Sequence, residues 1–440
     1  MRRNRRQFIT RCCQIGAAGM AAHFTRLAPL SLMAQSATDY KALVCVFLFG
    51  GNDANNMVVP IDSRYAKYQA MRPSVALPQA SLLAAGSTGY GFHPALTNVQ
   101  RLYNQSHGAV VFNIGTLVQP TTKATLNATP LPRNLYSHSD QTQQWQSSDP
   151  TGGATGWGGR INDIAMAQNT GALPPGITVN GGSALFLNGA NTQGLNYSNA
   201  DSFGLTRFGD GTAMDTRLTT LQSVLTFDSG VQLVNAANGV MTSSIRSAQE
   251  INDAVNSAPA LPVTFPSTGL GQQLAQVAQI IAVQGTLGLN RQIFFAGTGG
   301  FDNHEDLVNS QQRLMTGLDA AINAFMTTLE MRGQLDKVTL FTESEFNRTG
   351  NANANLGTDH AWGSHQLVLG GAVAGGVYGT FPDHTLAGPD DAGDRGYWIP
   401  TTSTDQYAAT FGHWFGLTDG QLQTILPNLT KFAPQSLGFV

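Results

Sequence analysis

Three times in this chain a short apolar run breaks abruptly into a polar turn that carries an acid. Residues 42–49 read ALVCVFLF and empty into Gly50-Gly51-Asn52-Asp53. Residues 291–296 read RQIFFA and run into Gly299-Gly300-Phe301-Asp302-Asn303-His304. Residues 338–341 read VTLF and lead through Glu343, Ser344 and Glu345 into an Asn- and Gly-rich loop with Asp359, His360 and His365. Uninterrupted apolar runs of this length suit strands buried on both faces, as in a largely parallel sheet. In open α/β sheets, ligands bind just past the carboxyl ends of such strands. Carboxylates and imidazoles gathered there are the donors that a divalent cation takes.

The remaining pattern fits that class. Residues 109–114 (AVVFNI) and 366–369 predict further strands, and residues 177–179 a short one. Apolar positions repeat at helical spacing in residues 231–255, 269–287 and 310–332, and a terminal helix is expected over 405–417. Cys45 reads as a small core residue, and His93 and His413 as structural. Residues 383–400, with Asp390, Asp391 and Asp394, read as a solvated acidic loop, with a lid over the site as the alternative.

Tyr136-Ser137-His138-Ser139-Asp140 precedes a further helical stretch. Ser137 is either a helix cap or a hydroxyl at an anion-binding helix start. Asp53 is likewise divided between a metal ligand and a cap or turn residue.

The charge balance narrows the partners. The formal net charge is −3, with only 12% charged residues. Six arginines and no acids lie in residues 1–36, so the rest carries −3 − 6 = −9. That balance gives no general attraction to nucleic acid or anionic lipid. Residues 1–36 read as a leader: Arg5-Arg6-Gln7-Phe8-Ile9 matches the twin-arginine export signal, a short apolar stretch follows, and Ala34-Gln35-Ser36 offers a cleavage site. The expected route is export by the twin-arginine translocase to the periplasm or cell exterior, with no transmembrane anchor in the mature chain. Residues 37–440 are then expected to form one domain with a peripheral cap at roughly 180–265. With Cys12 and Cys13 in the leader, Cys45 has no partner for an intrachain disulfide.

The blocks FLFGGNDANNMVVP, GFHPAL, YSH with the following Gln and Trp, GGFDNH, ESEFNR and GTDHAWGSHQLVLGGAV resemble the signature of a large bacterial family, DUF1501. That family in turn resembles the alkaline-phosphatase and sulfatase superfamily. The resemblance implies an α/β fold, a mixed, largely parallel sheet sandwiched between helices. It implies one or two divalent ions (Zn, Mg, Ca or Mn) and a small-molecule or polymer ester of phosphate or sulfate as substrate. Carried over residue by residue, it makes Ser137 the nucleophile and Asp53, Asp302 and His304 metal ligands. His138 would orient the nucleophile or shuttle a proton. The superfamily's Ser-Asp-His stands here as Ser344-Glu345-Phe346, so Glu345 can ligate and Phe346 cannot. Asp359 and His360 would supply the missing donors. The Cys-x-Pro-x-Arg motif of formylglycine sulfatases is absent. The competing expectation is a protein that kept the fold, with or without the cation, for binding or assembly without turnover.

Overall fold

The computed structural model describes residues 39–197 and 211–440. The expected leader, with Cys12 and Cys13, and part of the expected cap lie outside the described residues. In chain order the strands are β1 (Lys41–Leu48), β2 (Val58–Pro60), β3 (Leu83–Ala84), β4 (Tyr90–Phe92), β5 (Gly108–Gly115), β6 (Gly176–Thr178), β7 (Leu195–Asn196), β8 (Arg291–Thr298), β9 (Val338–Glu343), β10 (Ser364–Leu369), β11 (Gly376–Tyr378) and β12 (Thr402–Ser403).

Nine strands form one sheet in the order β11-β5-β10-β9-β1-β8-β6-β7, with β12 beside β5. β10 is antiparallel to both β5 and β9, and every other described pairing in the sheet is parallel. The architecture is therefore the expected mixed, largely parallel sheet between helices. Its centre explains the apolar runs. On β1, Ala42, Val44, Val46 and Leu48 face one core, and Leu43, Cys45 and Phe47 face the other. Side chains alternate across a strand, so a strand covered on both faces cannot carry an exposed polar position.

Helices Thr97–Asn104, Gly269–Ala282 and Leu307–Met331 cover the first face. Helices Trp157–Ala165, Thr404–Phe415 and Asp419–Ile425 cover the second. Leu307–Met331 shows how sequence dictates packing. Met315, Leu318, Ile322, Phe325 and Leu329 recur at helical spacing and are all buried. Each such side chain stabilises by roughly 1.5–3 kcal/mol.

Two features differ from the sequence reading. Residues 58–92 hold a small antiparallel sheet, β2-β4-β3, that the apolar pattern does not predict; its strands are only two or three residues long, too short for an alternating pattern to register. The loop over 383–400 is also not simply solvated. Asp391 is buried, and its carboxylate accepts N–H bonds from Ala387, Gly393, Gly396 and Tyr397. That internal acceptor folds the loop around itself, and Lys123 fastens it by donating to the carbonyls of Ala387 and Gly388.

Candidate metal centre

β9, β1 and β8 are neighbours and parallel, so their carboxyl ends lie side by side. The chain leaves β1 through Gly50 and Gly51, with φ of 114° and 78°. Only glycine takes such values at little cost. A β-carbon at Gly50 would stand 2.4 Å from the Asp302 nitrogen, and one at Gly51 2.2 Å from the Phe346 ring. The two glycines thus let the loops after β8 and β9 close over the end of β1.

Four side chains converge there. His138 opens the helix His138–Ser147, Asp302 and His304 follow β8, and His360 lies in the loop before β10. His304 Nε2 is 3.0 Å from Asp302 Oδ1 and 3.2 Å from His360 Nε2. His360 Nε2 is 3.3 Å from Asp302 Oδ1, and His138 Nε2 is 3.4 Å from Asp302 Oδ2. His138, Asp302 and His360 each bring a ligand atom within 4.8 Å of the others.

The other nitrogen of each ring is occupied. His138 Nδ1 donates to Glu345 Oε1 at 2.9 Å, His304 Nδ1 to Asp359 Oδ1 at 3.1 Å, and His360 Nδ1 to the Tyr136 carbonyl at 2.8 Å. With every Nδ1 acting as the donor, a neutral ring turns the Nε2 lone pair toward the shared centre. This is the arrangement by which outer hydrogen bonds fix the tautomer of metal-bound histidines. Tyr136 holds a left-handed backbone (φ 72°), a conformation that costs energy outside glycine and concentrates at functional sites.

Charge at the centre is set by neighbours. The buried Arg348 guanidinium bonds Asp302 Oδ1 and the carbonyls of Gly50, Gly51 and Thr358. Partial burial works to raise the Asp302 pKa, but Arg348, His138 and His304 outweigh it and hold the carboxyl at about 2. The hydrogen bond to Glu345 raises the His138 pKa, whereas burial lowers that of His360.

The site residues expected from sequence fall into three groups. His138, Asp302, His304 and His360 meet at the centre. Glu345 and Asp359 stand behind it: Glu345 Oε1 also accepts the Gly50 N–H at 2.8 Å, and Asp359 Oδ2 pairs with Arg395 at 2.8 Å. Both therefore orient imidazoles instead of facing the centre directly. Asp53 and Ser137 stand apart. Asp53 is buried and caps the short helix Ala54–Met57, and both its oxygens are held by Arg72 at 2.6 and 2.9 Å. Ser137 caps the helix His138–Ser147, and its hydroxyl donates to Asp140 Oδ2 at 2.7 Å. Both side chains are thus engaged in local capping and pairing. His365 is buried behind the site and accepts the Asn113 N–H through Nδ1. Sequence reading missed Arg348 and the Tyr136 carbonyl. An arginine just past a strand end in a charge-poor chain was the available signal for the first; a backbone carbonyl leaves none.

An open cleft of about 450 Å³ adjoins the centre, lined by Tyr136, His304, Asp359, His360 and the 392–397 loop. The molecule is thus an α/β protein whose strand ends gather three anchored imidazoles around one carboxylate.

The chain belongs to the family described as protein of unknown function (DUF1501), whose profile matches residues 40–425. No curated protein matches it. Among solved structures it is similar to the PsFucS1 sulfatase from Pseudoalteromonas sp., at 10% identity and a TM-score of 0.36, over 96% of this chain and 73% of that one. It is also similar to BT1596, a 2-O GAG sulfatase (8% identity, TM-score 0.32, 86% and 71%). An alkaline phosphatase PafA mutant aligns at 10% identity and a TM-score of 0.26, over 72% and 64%. Likenesses this loose carry no argument about chemistry. No helix among the described residues is long and apolar enough to cross a membrane.

Proposed function

We propose that the protein is an exported hydrolase of phosphate or sulfate esters that works with one divalent cation held by His138, Asp302, His304 and His360. One observation carries the cation. His304 Nε2 and His360 Nε2 lie 3.2 Å apart while both Nδ1 atoms are committed as donors. Between two neutral rings in this tautomer, lone pairs at that distance repel unless a cation or a proton lies between them. Donors of a tetrahedral ion with bonds of about 2.0–2.1 Å stand roughly 3.3 Å apart. Among His304, His360 and Asp302 Oδ1 the spacings of 3.0, 3.2 and 3.3 Å match that value, and His138 Nε2 reaches the other Asp302 oxygen at 3.4 Å.

Three nitrogens and one oxygen suit zinc or another late first-row ion better than magnesium or calcium, which prefer oxygen. Bound there, the cation would supply Lewis acidity toward an ester oxygen and acidify water. The chain's own residues do the rest. Glu345, Asp359 and the Tyr136 carbonyl keep the imidazoles in one tautomer. Arg348 keeps Asp302 ionised. The cleft beside His304 and His360, with Tyr136 and Tyr397 packed together in its wall, offers room for the ester's alcohol portion. Because the Ser137 hydroxyl is engaged by Asp140, water is the nucleophile in this reading.

Elemental analysis of the purified protein, with turnover on a panel of phosphate and sulfate esters, tests the proposal. Asp302→Ala and His360→Ala should each lose both the metal and the turnover. Turnover surviving in either variant removes the proposal. Stoichiometric metal with no turnover on any ester would favour the alternative, a cation-holding protein of binding or assembly.

A further inference from the structure

Away from the centre, helices Thr212–Leu225 and Gln232–Asn256 form an antiparallel hairpin. The second helix is two things along its length. Its C-terminal half buries Ser247, Ala248, Ile251, Ala254 and Val255. Residues seven apart lie on one helix face. The same face therefore runs back from Ala254 and Ser247 to Val240 and Leu233, and from Ile251 toward Ala237. In the N-terminal half no described residue covers that face: Leu233 is 80% exposed, Val240 68% and Met241 50%. The body-packing stripe thus overhangs the body. The first helix does not close it, since none of its residues is buried.

We infer that a second copy of this chain covers the overhang, the two hairpins pairing about a two-fold axis as a four-helix bundle. Two lines of physical argument point to a second copy. The first is area. Val224, Phe227, Val231, Leu233, Val234, Val240 and Met241 are between 43% and 80% exposed. At about 100 Å² per fully exposed large side chain, they present on the order of 400 Å² of apolar surface per chain. A standard interface buries about 800 Å² per partner, of which about three-fifths is apolar, or close to 480 Å². The second is charge. Between residues 212 and 245 the only charged side chains are Asp215, Arg217 and Asp228. A near-neutral face repels no copy of itself, and it has no basic band to hold an anionic membrane. Isologous pairing of one such patch with itself is the commonest form of oligomer.

Sedimentation of the protein over a wide dilution series tests this. The wild type should sediment at twice the mass of one chain. Leu233→Glu combined with Val240→Glu should shift it to one chain mass, with circular dichroism and bound metal unchanged. Met331→Glu, at an exposed apolar position on another helix, should leave the dimer intact. A wild type that stays monomeric throughout, a double variant that stays dimeric, or monomers that instead float with phosphatidylcholine vesicles would each overturn the inference.

Discussion

His138 Nδ1 lies 2.9 Å from Glu345 Oε1, which joins the first residue of a helix to the exit of a strand 207 positions later. Glu345 is fixed in turn by the Gly50 N–H, at the exit of the neighbouring strand. A carboxylate in this position aims the ring and raises its basicity. Glu345→Gln keeps the shape and removes the charge. Metal affinity is expected to fall by about 10–100-fold. Competition with a chromophoric chelator measures it.

Asp53→Asn separates two roles for one residue. As a ligand, Asp53 would be needed for metal. As the partner of the fully buried Arg72, it is needed for stability. Breaking a buried pair from one side costs about 3–5 kcal/mol, because the remaining charge is left uncompensated. The expected result is a large loss in denaturant midpoint with metal content per folded chain unchanged.

Ser137→Ala removes the cap of the helix that carries His138. Loss of such a cap costs about 1 kcal/mol. A modest loss of stability with ester turnover retained is expected from kinetics and thermal melts. Abolished turnover in a well-folded variant would instead restore Ser137 as the nucleophile.

Buried titratable groups should make stability depend on pH in two opposing ways. Burial lowers His365 to about 3 and His93 to about 4, the latter against the raising effect of Asp53. Both rings are neutral when folded and charged when unfolded over the range from about 6.5 down to those values, so stability declines as pH falls through it. Burial raises Glu343 to about 8, against the Trp157 and Cys45 hydrogen bonds. The unfolded chain releases that proton from about 4.3 upward, so stability also declines from there to about pH 8. Glu343→Gln should remove the decline between about pH 4.3 and 8, gaining on the order of 3–4 kcal/mol at pH 7. Chemical unfolding across pH measures both limbs.

The legible parts of the centre are those with a local cause. A strand buried on both faces must be apolar throughout, and its end must turn; hence Asp302 and His304 could be placed at a strand end from their neighbours alone. Asp53 satisfied the same pattern, yet it pairs with Arg72, which comes from the end of a separate helix. Glu345 and Asp359 are the right chemistry for a cation, but each accepts the Nδ1–H of an imidazole, His138 or His304, and stands behind that ring.

By itself the sequence determined the strands, the long helices and the polar strand ends, because burial and turn formation act over a few neighbouring residues. Only the tertiary structure decided which donors face one another, which carboxylates stand behind them, and that half of a helix stripe overhangs the body. Those outcomes depend on the order of strands in the sheet and on partners hundreds of positions away, and no short window of residues carries either.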